Sequence, residues 1–138
     1  MPHVFSSKQI SYAAALAMVA AAVKQANSAG IAAVITVIDK QGSVKAMANM
    51  DGAMHLAIAA SKAKAYTALM GLGSGDLAVV MKEQLGELNS LTSFDNIVAL
   101  AGGLPIFIGN ELVGAIGVGG GSQKQAILCA KTAIDVLV

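Results

Sequence analysis

The chain has no tryptophan and no arginine, a single cysteine and two prolines, and only 4% of its residues are aromatic. Each shortage removes a class of function. Without arginine, capture of a carboxylate or phosphate falls to lysine or to backbone N–H groups. One thiol, Cys129, excludes an internal disulfide and a multi-thiolate metal centre; in an apolar helical segment it reads as buried and inert. His3 and His55 stand far apart with no cluster of cysteines or carboxylates around them, so no metal site is expected. The formal net charge of +1 gives no electrostatic case for nucleic acid or a membrane surface. The Ala-rich stretch from Tyr12 to Val23 is interrupted by Lys24 and is too short to span a bilayer. The N-terminus shows no basic segment leading into an apolar run and cleavage site, and the expected location is cytoplasmic.

What is present is small and apolar. At 138 residues, 56% of them hydrophobic, the chain reads as one domain over its whole length. Ala and Gly supply much of the bulk, so the core needs close backbone approach. Many small apolar faces remain to be covered, which predicts a homo-oligomer.

Periodicity predicts the elements. Ser6 or Ser7 caps a first helix reaching about Ser28, with Ile10, Ala14, Met18 and Ala21 at helical spacing and Gly30 beyond its end. Ile31 to Ile38 is a β-branched strand, Asp39 to Gly42 a turn, and Ser43 to Met50 a second, antiparallel strand. Asp51 N-caps a long helix from Ala53 to Met70. Gly71, Gly73 and Gly75 break the chain before a shorter helix, Asp76 to Leu88, and a less regular segment holding Phe94. A short strand, Ile97 to Leu100, ends in a bend at Ala101–Pro105. A hairpin follows, Ile106–Ile108 and Glu111–Val118 around Gly109-Asn110. Ser122-x-x-Gln125 opens the last helix with a capping-box pattern. The order is α+β, with a mainly antiparallel sheet and helices packed on it.

Three strings carry a family resemblance over roughly Ser7 to Leu137: Met50-Asp51-Gly52-Ala53; Ser61-x-x-Lys64-Ala65-x-Thr67-Ala68; and Gly102-Gly103-Leu104-Pro105-Ile106, followed by Leu112 to Val118 and a Gly-rich turn. On these the chain resembles the GlcG/HbpS family of haem-degrading-like domains (DUF336). The resemblance implies a profilin-like fold, a five-stranded antiparallel sheet flanked by helices, and a homo-oligomer. It implies roles in bacterial catabolism that include binding of haem or a corrinoid, accessory subunits beside catabolic enzymes, and lyase chemistry on small aromatic compounds. Many relatives carry acidic residues after the Gly-rich turn, where this chain has Lys124 and Gln125.

The candidate chemistry centres on the long helix. His55, Lys62 and Tyr66 form one stripe; Ala53, Ala57, Ala60 and Lys64 form the opposite one, flanked by Ser61 and Thr67. Lys64, at the end of an alanine stripe, is expected to be partly buried and to need an acidic partner, Asp51 or Asp95, or a lowered pKa. His55 is either a haem ligand or proton-transfer group, or a surface residue near a helix start. Gly117 to Ser122 is either an anion-receiving turn or a tight strand-to-helix connection. A small, largely apolar pocket is expected among Asp51, Gly52, Ser61, Lys64, Thr67, Phe94, Gly102, Gly103 and Pro105. Three functions fit that pocket. The first is a binding domain for haem, another tetrapyrrole or a flat aromatic metabolite. The second is a cofactor-free enzyme acting by proton transfer on a small organic acid or aromatic compound, with Lys64 and His55 as catalytic groups. The third is a structural accessory subunit.

Overall fold

The structure, a computed structural model, describes residues 2–83 and 87–137. A first helix, α1 (Tyr12–Ser28), leads into the hairpin β1 (Val34–Asp39) and β2 (Val44–Asn49), then α2 (Leu56–Ala68) and α3 (Asp76–Glu83). A 3-10 helix (Glu87–Ser93) precedes the second hairpin, β3 (Gly103–Ile108) and β4 (Glu111–Gly119), and α4 (Gln123–Asp135) closes the chain.

The four strands form one antiparallel sheet in the order β2-β1-β4-β3. Helices α1 and α4 pack on one face and α2 on the other. Side chains alternate accordingly. Ile35, Val37, Ile116 and Val118 join Met18, Ala22, Cys129 and Ala130 in the larger core under α1 and α4. Ile38 and Ala115 face Ala65 and Ala68 of α2 in a smaller core.

Several boundaries differ from those the sequence predicts. The N-cap of α1 is Ser11, whose Oγ accepts from Ala14 N at 3.1 Å, rather than Ser6 or Ser7. Ile10 lies before the helix, where it is buried and donates its N–H to Val113 O at 2.9 Å. Asp51 does not cap α2. Met50 to Ala53 is a tight turn closed by Ala53 N to Met50 O at 3.1 Å, with Gly52 at φ +81°, and α2 begins only at Leu56. The Asp51 carboxylate is exposed, so Asp51→Ala should change stability by no more than ~0.5 kcal/mol; a loss near 1 kcal/mol in urea unfolding would restore the capping role. The helix begun at Asp76 is described over Asp76–Glu83, and Glu87 and Leu88, expected at its end, lie in the 3-10 helix. Its expected continuation through residues 84–86 lies outside the described residues.

Among the described residues the sheet has four strands, not five. Ile97–Leu100 forms no strand, and two of its backbone groups, Val98 N and the Leu100 carbonyl, bond to side-chain hydroxyls instead. Thr67 Oγ1 accepts from Val98 N at 2.9 Å and donates to Asn96 O at 3.0 Å. Ser74 Oγ donates to the Leu100 carbonyl and accepts from Gly103 N at 2.8 Å. The expected bend at Gly103–Pro105 is instead the start of β3. Pro105 is tolerated there because β3 is an edge strand. The Gly109-Asn110 turn and the Ser122/Gln125 capping box form as the sequence predicts.

Candidate functional site

The site follows from how closely α2 approaches the sheet. On the α2 side, β4 presents Ala115, Gly117 and Gly119, a row of diminishing side chains. A Cβ at Gly117 would overlap the Ser61 carbonyl, and one at Gly119 would lie 2.7 Å from Ala57 O. In β3, a Cβ at Gly103 would overlap the Lys64 carbonyl. Backbone therefore packs on backbone, and α2 is seated where no side chain could intervene. Ser61 completes the seat from within: its Oγ donates to Ile58 O at 3.0 Å and lies 2.7 Å from Thr36 Oγ1 on β1.

Lys64 is carried into the interior by this seating. Its stem crosses Gly102, where a Cβ would stand 3.2 Å from the Lys64 Cδ. Only 9% of the residue is exposed. The ladder between β3 and β4 ends at the Gly103–Gly117 pair, and just beyond it Lys64 Nζ donates to Val118 O at 3.0 Å. Neither Asp51 nor Asp95 is its partner: both are exposed, and among the described residues Lys64 makes no ion pair. An ammonium has three protons to donate, and the hydrogen bond to Val118 uses one.

Burial pushes the Lys64 pKa below the ordinary lysine value. The unfolded chain returns it to that value, so between the two the unfolded state binds more protons and stability rises with pH. Cys129 works in the opposite sense. Burial raises its thiol pKa, and its contribution is lost as pH climbs past the ordinary thiol value. The comparison that isolates the lysine is with Lys64→Met: wild type should gain in melting temperature relative to the variant as pH approaches the ordinary lysine value. A difference that stays flat with pH would place the ammonium in water.

Lys64 lines a cleft of about 510 Å³. Ala57 and Ala60 of α2 and the backbone of Gly119, Gly120 and Gly121 line it; Ile31, Met54, Leu56 and Leu100 add apolar side chains. A smaller cavity of about 100 Å³ shares Lys64, Leu100 and Gly121 and reaches Ser122 and Gln123 at the start of α4. The result is a mostly apolar slot with one desolvated cation and a partly glycine lining.

Of the residues expected in the pocket, the cleft brings together Gly52 and Lys64. Asp51 lines a different cavity, beside Val23, Asn27 and Met50. Ser61 and Thr67 are fully buried and hydrogen-bonded within the fold. Phe94 is exposed beyond the 3-10 helix, Gly102 lies behind the Lys64 stem, and Gly103 and Pro105 belong to β3. His55 is exposed at the start of α2, between the cleft residues Met54 and Leu56 but outside the lining. The pocket expected from sequence omitted Ile31, Ala32 and Leu100, which reach the cleft only through tertiary packing. It also omitted Ala57, Ala60 and Gly119–Gly121, although the alanine stripe ending at Lys64 already marked that face of α2. Among the described residues no group of three His, Cys, Asp or Glu side chains is placed to hold a metal ion, and no helix is long and apolar enough to cross a membrane.

Compared with known proteins, residues 10–135 match the family described as haem degrading protein HbpS-like. The chain belongs to the HbpS-like family. The structure of the Klebsiella pneumoniae protein ORFY, of DUF336, superimposes on this HbpS-like domain with a TM-score of 0.89 at 31% identity, covering 98% of this chain and 94% of that one. A double mutant of Streptomyces reticuli HbpS gives a TM-score of 0.90 at 25% identity, covering 98% and 91%. PduOC, solved as a complex with haem, shares the fold at a TM-score of 0.84 and 24% identity, covering 92% and 94%.

Proposed function

We propose that this HbpS-like domain binds a flat, largely apolar organic acid in the Lys64 cleft, with haem or a related tetrapyrrole as the leading ligand class. The observation that carries the reading is Lys64 itself: a buried ammonium without a carboxylate partner among the described residues, at the wall of an apolar slot. A buried cation left without a counter-charge is costly, and an anionic ligand relieves that cost. The volume lies within the ~300–1,000 Å³ range of small-molecule sites. Gly119–Gly121 present backbone to the slot, and Ile31, Leu56 and Leu100 offer apolar contact. For haem, Lys64 would meet a propionate. The side chains suited to the iron are the Met54 thioether in the lining and the His55 imidazole beside it. Bound haem would supply redox chemistry, while the protein's own part is to hold and orient the ring. The family description and the haem complex of PduOC support this ligand class.

Haemin and zinc protoporphyrin titrations test the reading. Wild type should bind with 1:1 stoichiometry, and Lys64→Met should weaken binding by at least about tenfold, the cost of losing a charge-assisted hydrogen bond. Binding that is unaffected by Lys64→Met, or absent from wild type, would refute it. A Soret band shifted by His55→Ala or Met54→Ala would identify the iron ligand.

The lowered pKa of Lys64 also favours a second reading, cofactor-free proton transfer on a small organic acid or aromatic compound. A reaction that requires Lys64 and proceeds in metal-free, haem-free protein would establish it.

A further inference from the structure

We propose that Lys64 is also a carbonyl-capturing amine, forming a reversible imine with small, apolar aldehydes that enter the cleft. The inference shares the cleft with the reading above but needs neither haem nor a carboxylate.

The geometry is that of a nucleophile held for attack. The Lys64 stem is fixed across Gly102 and its nitrogen is anchored by one hydrogen bond to Val118 O at 3.0 Å. In the neutral amine, that bond and the bond to Cε occupy two of four tetrahedral directions. The remaining N–H and the lone pair are left for the two cavities that Lys64 lines. The ion pair that would hold the proton in place is missing among the described residues. Burial adds to this by favouring the neutral, nucleophilic form. Every other lysine of the chain is exposed or half-exposed, so none shares this environment.

The reaction balances without a further reagent. The nitrogen lone pair attacks the aldehyde carbon, and proton transfer from nitrogen to oxygen gives a carbinolamine. Its C–O bond then breaks, the hydroxyl leaves as water with a proton taken from solvent, and the nitrogen lone pair forms the C=N bond of an iminium, which becomes the imine by returning its N–H proton to solvent. Among the described residues no carboxylate or imidazole lines the cleft, so nothing there carries the imine on to carbon–carbon cleavage. The expected outcome is therefore capture and release rather than turnover. The apolar slot selects flat or short aliphatic aldehydes over hydrated polyols.

The test uses benzaldehyde and sodium cyanoborohydride at neutral pH on the full chain, with no porphyrin present, followed by peptide mass spectrometry. The reduced adduct should appear on Lys64 at least about tenfold faster than on any other lysine, because its anchored nitrogen faces the cleft and burial favours the neutral, nucleophilic form. Lys64→Arg should remove the fast adduct and leave the slow ones. Labelling spread evenly over the exposed lysines, or a Lys64 that reacts no faster than they do, would overturn the proposal. Because the readout is the labelled residue in wild-type protein, neither a misfolded variant nor a failed haemin titration decides it.

Discussion

Replacing Gly117 with alanine should cost at least about 3 kcal/mol of unfolding free energy, near the upper end of what overpacking does in a core. The added methyl would overlap the Ser61 carbonyl and stand 2.7 Å from Ala65 N. Both obstacles are helix backbone, which cannot rotate aside as a side chain can. Gly117 itself sits in an inner strand, paired to β1 through Thr36 and to β3 through Gly103, so it cannot retreat either. The useful control is Gly109→Ala in the hairpin turn. There φ is +61° and nothing lies within 4 Å of the new methyl, so only the backbone preference is lost, about 1 kcal/mol. Urea unfolding of both variants would separate the two costs. A Gly117→Ala cost no larger than that of Gly109→Ala would mean that α2 does not rest on β4 as described.

The second large effect is expected at Ala60. This residue faces the cleft from α2 and is only half-buried, so a phenylalanine there has room to grow, but only into the ligand's space. Ala60→Phe should reduce haemin or zinc protoporphyrin affinity by about a hundredfold, equivalent to ~2.7 kcal/mol. Folding stability should change by no more than about 1 kcal/mol, chiefly through lost helix propensity. Affinity within threefold of wild type would move the binding site away from this face. A collapse of stability would show that Ala60 packs in the core instead.

Much of this molecule is legible in its sequence because its punctuation is local. Gly30, the Asp39–Gly42 turn, the Gly109-Asn110 hairpin and the Ser122/Gln125 capping box each act over a few residues, and each sits where its chemistry predicts. The failures are equally physical. Asp51 has the right chemistry for a helix cap, but the turn closed by Ala53 N and Met50 O places it outside the helix. Ile97–Leu100 has the composition of a strand, yet Thr67 and Ser74, distant in sequence, bond to its Val98 N–H and Leu100 carbonyl in place of a neighbour strand. At the site, the alanine stripe ending at Lys64 announced a face with close approach. The depth of that approach depends on glycines more than 35 residues away in the chain, Gly103, Gly117 and Gly119. The same separation hid the true hydrogen-bond partner of Lys64. Sequence chemistry points to a carboxylate, whereas the structure provides the Val118 carbonyl at the end of the β3–β4 ladder.

The central proposal is that the ligand occupies the cleft lined by Ala57, Ala60 and Lys64 of α2 and by Gly119–Gly121. Backbone amide shifts in ¹⁵N-labelled protein titrated with zinc protoporphyrin test this most directly. The largest changes should cluster at Ala57, Ala60, Lys64 and Gly119–Gly121, with little at Val23, Asn27 and Met50 beside the separate Asp51 cavity. Changes centred on Val23, Asn27 and Met50, or none at the cleft under saturating ligand, would contradict the account.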